Sequence, residues 1–140
     1  MKKLLLLLLS VLMIFSLASC NSNSRPTEYQ KIGLDVIGKD VSENLGRATN
    51  EYVGNCYQFK VKLSYISKDL ERITAYEIDP AKELGVMISG NLLDKEDKDI
   101  IMNANDGDII TIKGKITDIS LGFMISAELK MDIYEISINN

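Results

Sequence analysis

The sequence predicts a mainly β domain: a five-stranded barrel with an amphipathic helix before it and a short helix between strands three and four. Three observations carry this reading. The hydrophobic period changes from helical to two at Gly54. Two long segments then alternate cleanly, Tyr57 to Ile66 and Asp108 to Ile119. Between them, turn signals at Lys68-Asp69 and Asn105-Asp106-Gly107-Asp108 divide the chain into strand-length pieces.

Ahead of the domain, Lys2 and Lys3 precede an apolar run from Leu4 to Phe15 broken only by Ser10, and Leu17-Ala18-Ser19-Cys20 closes it with small residues. Charge, apolar core and small residues in that order make a secretory signal. The apolar run, about 15 residues, falls short of the roughly 20 that span a bilayer as a helix. The terminal Leu-Ala-Ser-Cys resembles the lipobox of bacterial lipoproteins. That resemblance implies that residues 1–19 are removed, that the Cys20 sulfur receives a diacylglycerol and that the new amine is acylated, a palmitate-type modification. Two or three chains hold a protein firmly on a membrane where one holds it marginally. The expected location is the extracytoplasmic side of the bacterial cell envelope. Residues 20–30, rich in Asn and Ser, read as a flexible lipidated tether, and residues 31–140 as one domain.

Without Lys2 and Lys3, 14 basic residues face 20 acidic ones, a mature side-chain charge of about −6. An acidic domain outside the membrane has no electrostatic reason to bind nucleic acid, which argues against that partner. The chain has no His and no Trp. A lipidated Cys20 leaves Cys56 as the only thiol, which excludes an intrachain disulfide and makes Cys56 a small buried hydrophobe.

Within the domain, Ile32 to Ile37 reads as a short extended piece weakened by Gly33 and Gly38. Asp40-Val41-Ser42-Glu43 resembles a capping box, and Val41, Leu45, Ala48 and Tyr52 follow at helical spacing, so a helix is expected over Val41–Val53 with Gly54 as its stop. In the first strand Tyr57, Phe59, Val61, Leu63 and Tyr65 face inward, and Gln58, Lys60, Lys62 and Ser64 outward. A weaker strand covers Arg72 to Ile78, ended by Asp79-Pro80. A third runs from Leu84 to Leu92 with Val86 and Ile88 inward, and Asp94-Lys95-Glu96-Asp97 opens a short helix to Met102. In the fourth strand Ile110, Ile112, Gly114 and Ile116 share the inner face, and mid-strand Gly114 suits a sharp bend. Phe123, Ile125, Ala127 and Leu129 begin the fifth strand, which the alternating tail Met131 to Ile138 extends.

Five strands with a short helix between the third and fourth is the order of an OB-fold barrel. A second resemblance follows. Arg47-Ala48, Tyr52 and Gly54 lead into strand one, and Gly107-Asp108-Ile109-Ile110-Thr111-Ile112-Lys113-Gly114-Lys115-Ile116 enters strand four. Together these resemble the tRNA-anticodon-like OB domains of bacterial lipoproteins, over about residues 40 to 138. Many of those proteins carry a cysteine near the last strand; here Cys56 stands at the start of strand one instead.

Chemistry-bearing clusters are few. Lys60 and Lys62 on strand one and Lys113 and Lys115 on strand four would form a small basic patch, since those strands pair in an OB barrel. A solvated face that discourages edge pairing explains the same residues. Asp94, Glu96, Asp97, Asp99, Asp106 and Asp108 fail the EF-hand spacing, because Lys113 falls where the bidentate Glu belongs, so no metal is expected. With no His, no Gly-x-Ser-x-Gly elbow and no phosphate loop, neither catalysis nor a cofactor is expected. The reading is a membrane-anchored, non-catalytic binding or interaction module with a protein or glycan partner in the envelope. The alternative is a nucleic-acid-binding OB domain.

The inner-face assignment makes a direct prediction. Ile112→Asp places a charge inside the barrel and leaves no folded domain in circular dichroism or gel filtration; a folded, soluble variant would show the register to be wrong.

Overall fold

The computed structural model describes residues 25–78, 85–122 and 127–139. In chain order the elements are β1 (Gln30–Lys31), α1 (Leu34–Glu43), α2 (Leu45–Tyr52), β2 (Cys56–Ile66), β3 (Arg72–Tyr76), β4 (Val86–Leu92), α3 (Lys95–Ile101), β5 (Ile109–Ser120) and β6 (Ala127–Ile138). The sheet order is β1-β2-β3-β4-β6-β5, and β2 also pairs with β5. That extra pairing closes β2 to β6 into a five-stranded barrel, with β4 and β6 parallel and the other barrel pairs antiparallel. β1 adds a short parallel strand outside it. This is the OB-fold topology, with α3 between the third and fourth barrel strands.

Alternation places the core as the sequence implies. Val61, Leu63, Ile88, Ile110, Ile112 and Leu129 are fully buried, while Lys60, Lys62 and Lys130 stay exposed. Gly54 has φ +88°, a conformation that favours glycine. Its N–H donates to the Ile116 carbonyl (2.8 Å), carrying the β2–β5 ladder past the end of the helix. At Gly114 the β5–β6 register slips, and a Cβ there would collide with the Asp132 carbonyl oxygen. Close backbone approach is therefore what this glycine permits.

The helical region differs from the sequence reading. One helix over Val41–Val53 is replaced by two, broken at Asn44, which is extended (φ −160°, ψ 91°). The Asn44 side chain accepts from the Arg47 N–H (3.0 Å) and so caps α2. Residues 34–37, read as extended, are helical because Leu34, Ile37 and Val41 bury one stripe against the barrel, which outweighs two glycines. Asp40 lies inside α1 and is no cap; it accepts from the Tyr52 hydroxyl (2.5 Å) and tethers α2 to α1. Burial, then this bond, pushes the Tyr52 phenol above its ordinary range.

Cys56 is buried at the start of β2, as a small hydrophobe would be. Two further differences concern Tyr65 and residues 25–31. Tyr65 leaves the core face because the β2–β3 register shifts between Leu63 and Tyr65. Residues 25–31 are not a free tether. Arg25 pairs with Asp94, the Lys113 ammonium lies 5.8 Å from the Tyr29 ring centroid, and Gln30–Lys31 pairs with Tyr57–Gln58. The expected strand positions Leu84, Phe123 and Ile125, and the Asp79-Pro80 stop, fall outside the described residues.

Asp97 is the buried exception on α3. It is 3% exposed. Its Oδ1 accepts from the Ile136 N–H of β6 (2.9 Å), and its Oδ2 has no partner. Burial raises the carboxyl above the usual carboxylate range, against the pull of the Ile136 N–H and Arg25; Asp94 and Glu135 push the same way as burial. A carboxyl raised in the folded state stabilises fully below its unfolded value near 3.9, and that contribution is lost as pH climbs through the folded value. Asp97→Asn keeps the acceptor and cannot ionise. In thermal melts it is expected to gain on the wild type from about pH 4 to pH 7; a constant difference across that range would contradict the buried-acid account.

Candidate nucleic-acid or peptide interface

The outer wall of β2, β3 and β4 is built by cross-strand register. Thr74 stands between Tyr65 on β2 and Ser89 on β4, and the next row is Lys62, Tyr76 and Met87. Arg72 and Asn91 form a third row. Ile73 and Ala75 point inward and are buried, so Arg72, Thr74 and Tyr76 face solvent by alternation. Tyr65 is 57% exposed and Tyr76 37%. The two lie diagonally across neighbouring strands, a relation of about 7–8 Å.

The bulge creates this pair. Leu63 opposes Ala75, yet Tyr65 opposes Thr74, so the extra residue in β2 turns Tyr65 from the core side to the solvent side. Strict alternation puts Tyr65 with Leu63 inside, and no local residue marks the bulge. The remaining aromatics on β2 serve the core. Tyr57 stacks on Phe59 at 5.7 Å and meets Tyr52 edge-on at 6.1 Å, all three buried.

The turn from β2 to β3 holds the end of this wall. Ser67 is nearly buried; its Oγ accepts from the Arg72 (2.9 Å) and Glu71 (3.2 Å) N–H groups and its hydroxyl donates to Asp69 (2.5 Å). That donation, then the Glu71 N–H, holds the Asp69 carboxyl below its ordinary range. Leu70 takes a left-handed conformation, φ +56°, within this turn. Lys98 of α3 reaches Glu71 (3.5 Å) from outside.

Beside the wall is a gap in the sheet. On one edge of β2, β1 pairs with Tyr57 and Gln58, and β3 begins at Lys62. No strand among the described residues pairs with Phe59–Val61 on that edge. The Leu63 N–H donates to Asp108 and its carbonyl accepts from Gly107, so odd residues of β2 bond toward β5. By alternation the backbone N–H and C=O of Lys60 point into the gap. A cleft of about 320 Å³ opens there, walled by Ile32, Leu34, Asp35, Lys60, Glu77 and Ile78.

β2 and β5 pair as the basic-patch reading expects, which sets Lys60 diagonal to Lys113 across the two strands. Lys60 and Lys62 project from β2. Lys113, opposite Gln58, is bound to Glu135 (2.6 Å), and Lys115 lies opposite Cys56 and abreast of Asp132. The acidic residues are dispersed. Asp94 holds Arg25, Asp97 is buried, and Asp108 accepts from the Asn105 N–H (2.8 Å). The wall instead offers two phenol rings, hydroxyl and amide groups from Thr74, Ser89 and Asn91, and the cations Lys62 and Arg72. Cys20 lies outside the described residues, and among these no helix is long and apolar enough to cross a membrane.

No protein-family model matches this chain, and no curated protein matches it. Solved structures do. A Klebsiella pneumoniae protein assigned, by name only, as a nucleic acid-binding lipoprotein shares 11% identity at a TM-score of 0.51, over 80% of this chain and 92% of its own. A Leishmania major protein assigned as an aspartyl-tRNA synthetase shares 10% at 0.50, over 85% of this chain. This chain spans only 22% of that protein's length. The mitochondrial single-stranded DNA binding protein Rim1 of S. cerevisiae matches at 0.46 with 5% identity, over 59% of this chain and 91% of its own, and carries no weight. At such identities the likeness is one of fold, and the fold is the OB barrel.

Proposed function

We propose that this chain is a lipid-anchored, extracytoplasmic, non-catalytic binding module of the tRNA-anticodon-like OB kind, whose ligand surface is the outer wall of β2, β3 and β4. The observation that carries the proposal is the bulge that turns Tyr65 outward beside Thr74, diagonal to Tyr76. The interior would accept Tyr65 on the pattern of β2, and its place on the surface suits contact with a partner. OB barrels bind through this wall and its flanking loops. A protein or peptide is the first ligand class, since the gap at Lys60 adds an open backbone edge to the wall; an envelope glycan is the second. The anchor rests on the Leu17-Ala18-Ser19-Cys20 motif.

One observation favours a second reading, single-stranded nucleic acid. Lys62 and Arg72 share the wall with Tyr65 and Tyr76, and stacked bases with nearby cations are how such strands are held. The basic charge there is smaller than the sequence patch suggests, because Lys113 and Lys115 stand on β5, outside this wall.

Two experiments test these readings. Cys20→Ala is expected to abolish acylation and accumulate precursor; normal lipid labelling, or a mature protein with Cys20 in a disulfide with Cys56, would contradict the anchor, since one sulfur cannot hold both bonds. For the wall, the domain of residues 21–140 and its Tyr65→Ala/Tyr76→Ala variant are compared in capture from envelope extract and in titration with a 12-mer of thymidylate. A partner kept by the wild type and lost by the variant is the expected result. Salt-sensitive thymidylate binding that falls about 10-fold or more in the variant would establish the second reading. Capture unaffected by the double substitution would remove the wall as the ligand surface.

A further inference from the structure

Residues 25–31 form a strap across one side of the barrel. Arg25 is paired with Asp94, just before α3. Tyr29 lies by Lys113 of β5, which is itself bound to Glu135 of β6. Gln30–Lys31 then pairs with Tyr57–Gln58 of β2. Glu135, Lys113 and Gln58 form one transverse row by register. The strap therefore passes over the outer side of β6, β5 and β2 in turn.

Around the closed barrel the strands run β2, β3, β4, β6, β5 and back to β2. From β3, the β5–β6 pair is reached through β2 on one side and β4 on the other, so β3 stands opposite that pair. Thr74 and Tyr76 on β3, with Tyr65 beside them, are thus on the far side of the barrel from Tyr29, and only the end of the strap, Gln30–Lys31, crosses β2 to the edge that β3 also uses. The chain from Cys20 to Arg25 is five residues, which reach at most about 17 Å when fully extended.

We infer that the strap fixes the orientation of the anchored domain, holding its β5–β6 side toward the bilayer and turning the Tyr65–Tyr76 wall toward a soluble protein or peptide on the aqueous side. The inference rests on the anchor and ligand-wall readings above. A free tether over residues 20–30 lets the barrel tumble, with all faces visiting the membrane. A tether whose last residues are pinned by an ion pair, an aromatic contact and two strand pairings does not. The wall is then shielded from lipid by the body of the barrel and is open to partners arriving from outside the membrane.

The test uses the full-length protein, acylated in a bacterial host and placed in phosphatidylethanolamine–phosphatidylglycerol vesicles that carry a dansyl headgroup lipid. The chain has no Trp, so one introduced Trp reports one position by energy transfer to the bilayer surface. Tyr134→Trp marks the strap side, on β6 next to Glu135, which binds Lys113; Tyr65→Trp marks the wall, with Thr74→Trp as a second reporter there. Transfer from position 134 is expected to exceed that from 65 and 74 severalfold, and Arg25→Glu is expected to bring the three together. Equal or greater transfer from the wall, in protein that carries the acyl mass and floats with vesicles, would overturn the orientation and leave the anchor standing. An unchanged ratio in Arg25→Glu would overturn the Arg25 clamp. Protein without the acyl mass that stays off vesicles would overturn the anchor and the inference with it.

Discussion

β2 belongs to two ladders at once, and the rest of the molecule follows from that. Its first seven residues pair with β5, and its last part pairs with β3. Only a strand of eleven residues spans both, and only this double pairing closes the barrel. Because side chains alternate, Phe59 and Val61 must go inward with their β5 partners Ile112 and Ile110, and Leu63 follows on the same face. Continuing into β3 at the same register would bury Tyr65 as well. The bulge interrupts that register where β2 passes from one partner to the other, adds local twist and delivers Tyr65 to the surface. Closure and the candidate site thus share one origin.

The same strand leaves an opening. β1 and β3 approach one edge of β2 from opposite ends and stop at Gln58 and Lys62. Lys60 between them keeps its backbone groups directed outward, beside a cleft with both acidic and basic walls. An edge of three residues is too short to template another sheet, which limits the aggregation risk that longer edges carry. The residues before β1 complete the arrangement, since Tyr29 docks beside Lys113 on β5 and the Tyr65–Tyr76 face stays exposed.

Much of this was legible in the sequence where one force dominates locally. β2 and β5 are long, alternating and bounded by Gly54 and Gly107, so period and turns agree. β6 follows the same rule, and its two apparent pieces are one strand because Glu128 through Ile138 pair with β5 along their length, apart from two register slips. α1 was hidden because Gly33 and Gly38 outweigh, on propensity, a stripe of Leu34, Ile37 and Val41 that becomes decisive only when the barrel supplies a surface. Asn44 reads as an ordinary helix residue until its cap geometry is seen. For the site, Lys60 and Lys62 were placed correctly on the outside, but the significance of Lys113 depended on Glu135, 22 residues away, and Tyr65 on a bulge. Asp97 was one acid among several, and only the packing of α3 on β6 distinguishes it. The strap had no signal at all, since Arg25 and Tyr29 find their partners in distant parts of the chain.

The central claim is the register of β2 with its bulge, which sorts the tyrosines into core and surface. Photochemically induced nuclear polarisation, which reports phenol rings open to a dissolved flavin, reads that sorting directly on the folded protein. Strong signals from Tyr65 and Tyr76 and none from Tyr52 and Tyr57 are predicted. A polarised Tyr57 with a silent Tyr65 would contradict the register, and with it the account of both the barrel and its binding wall.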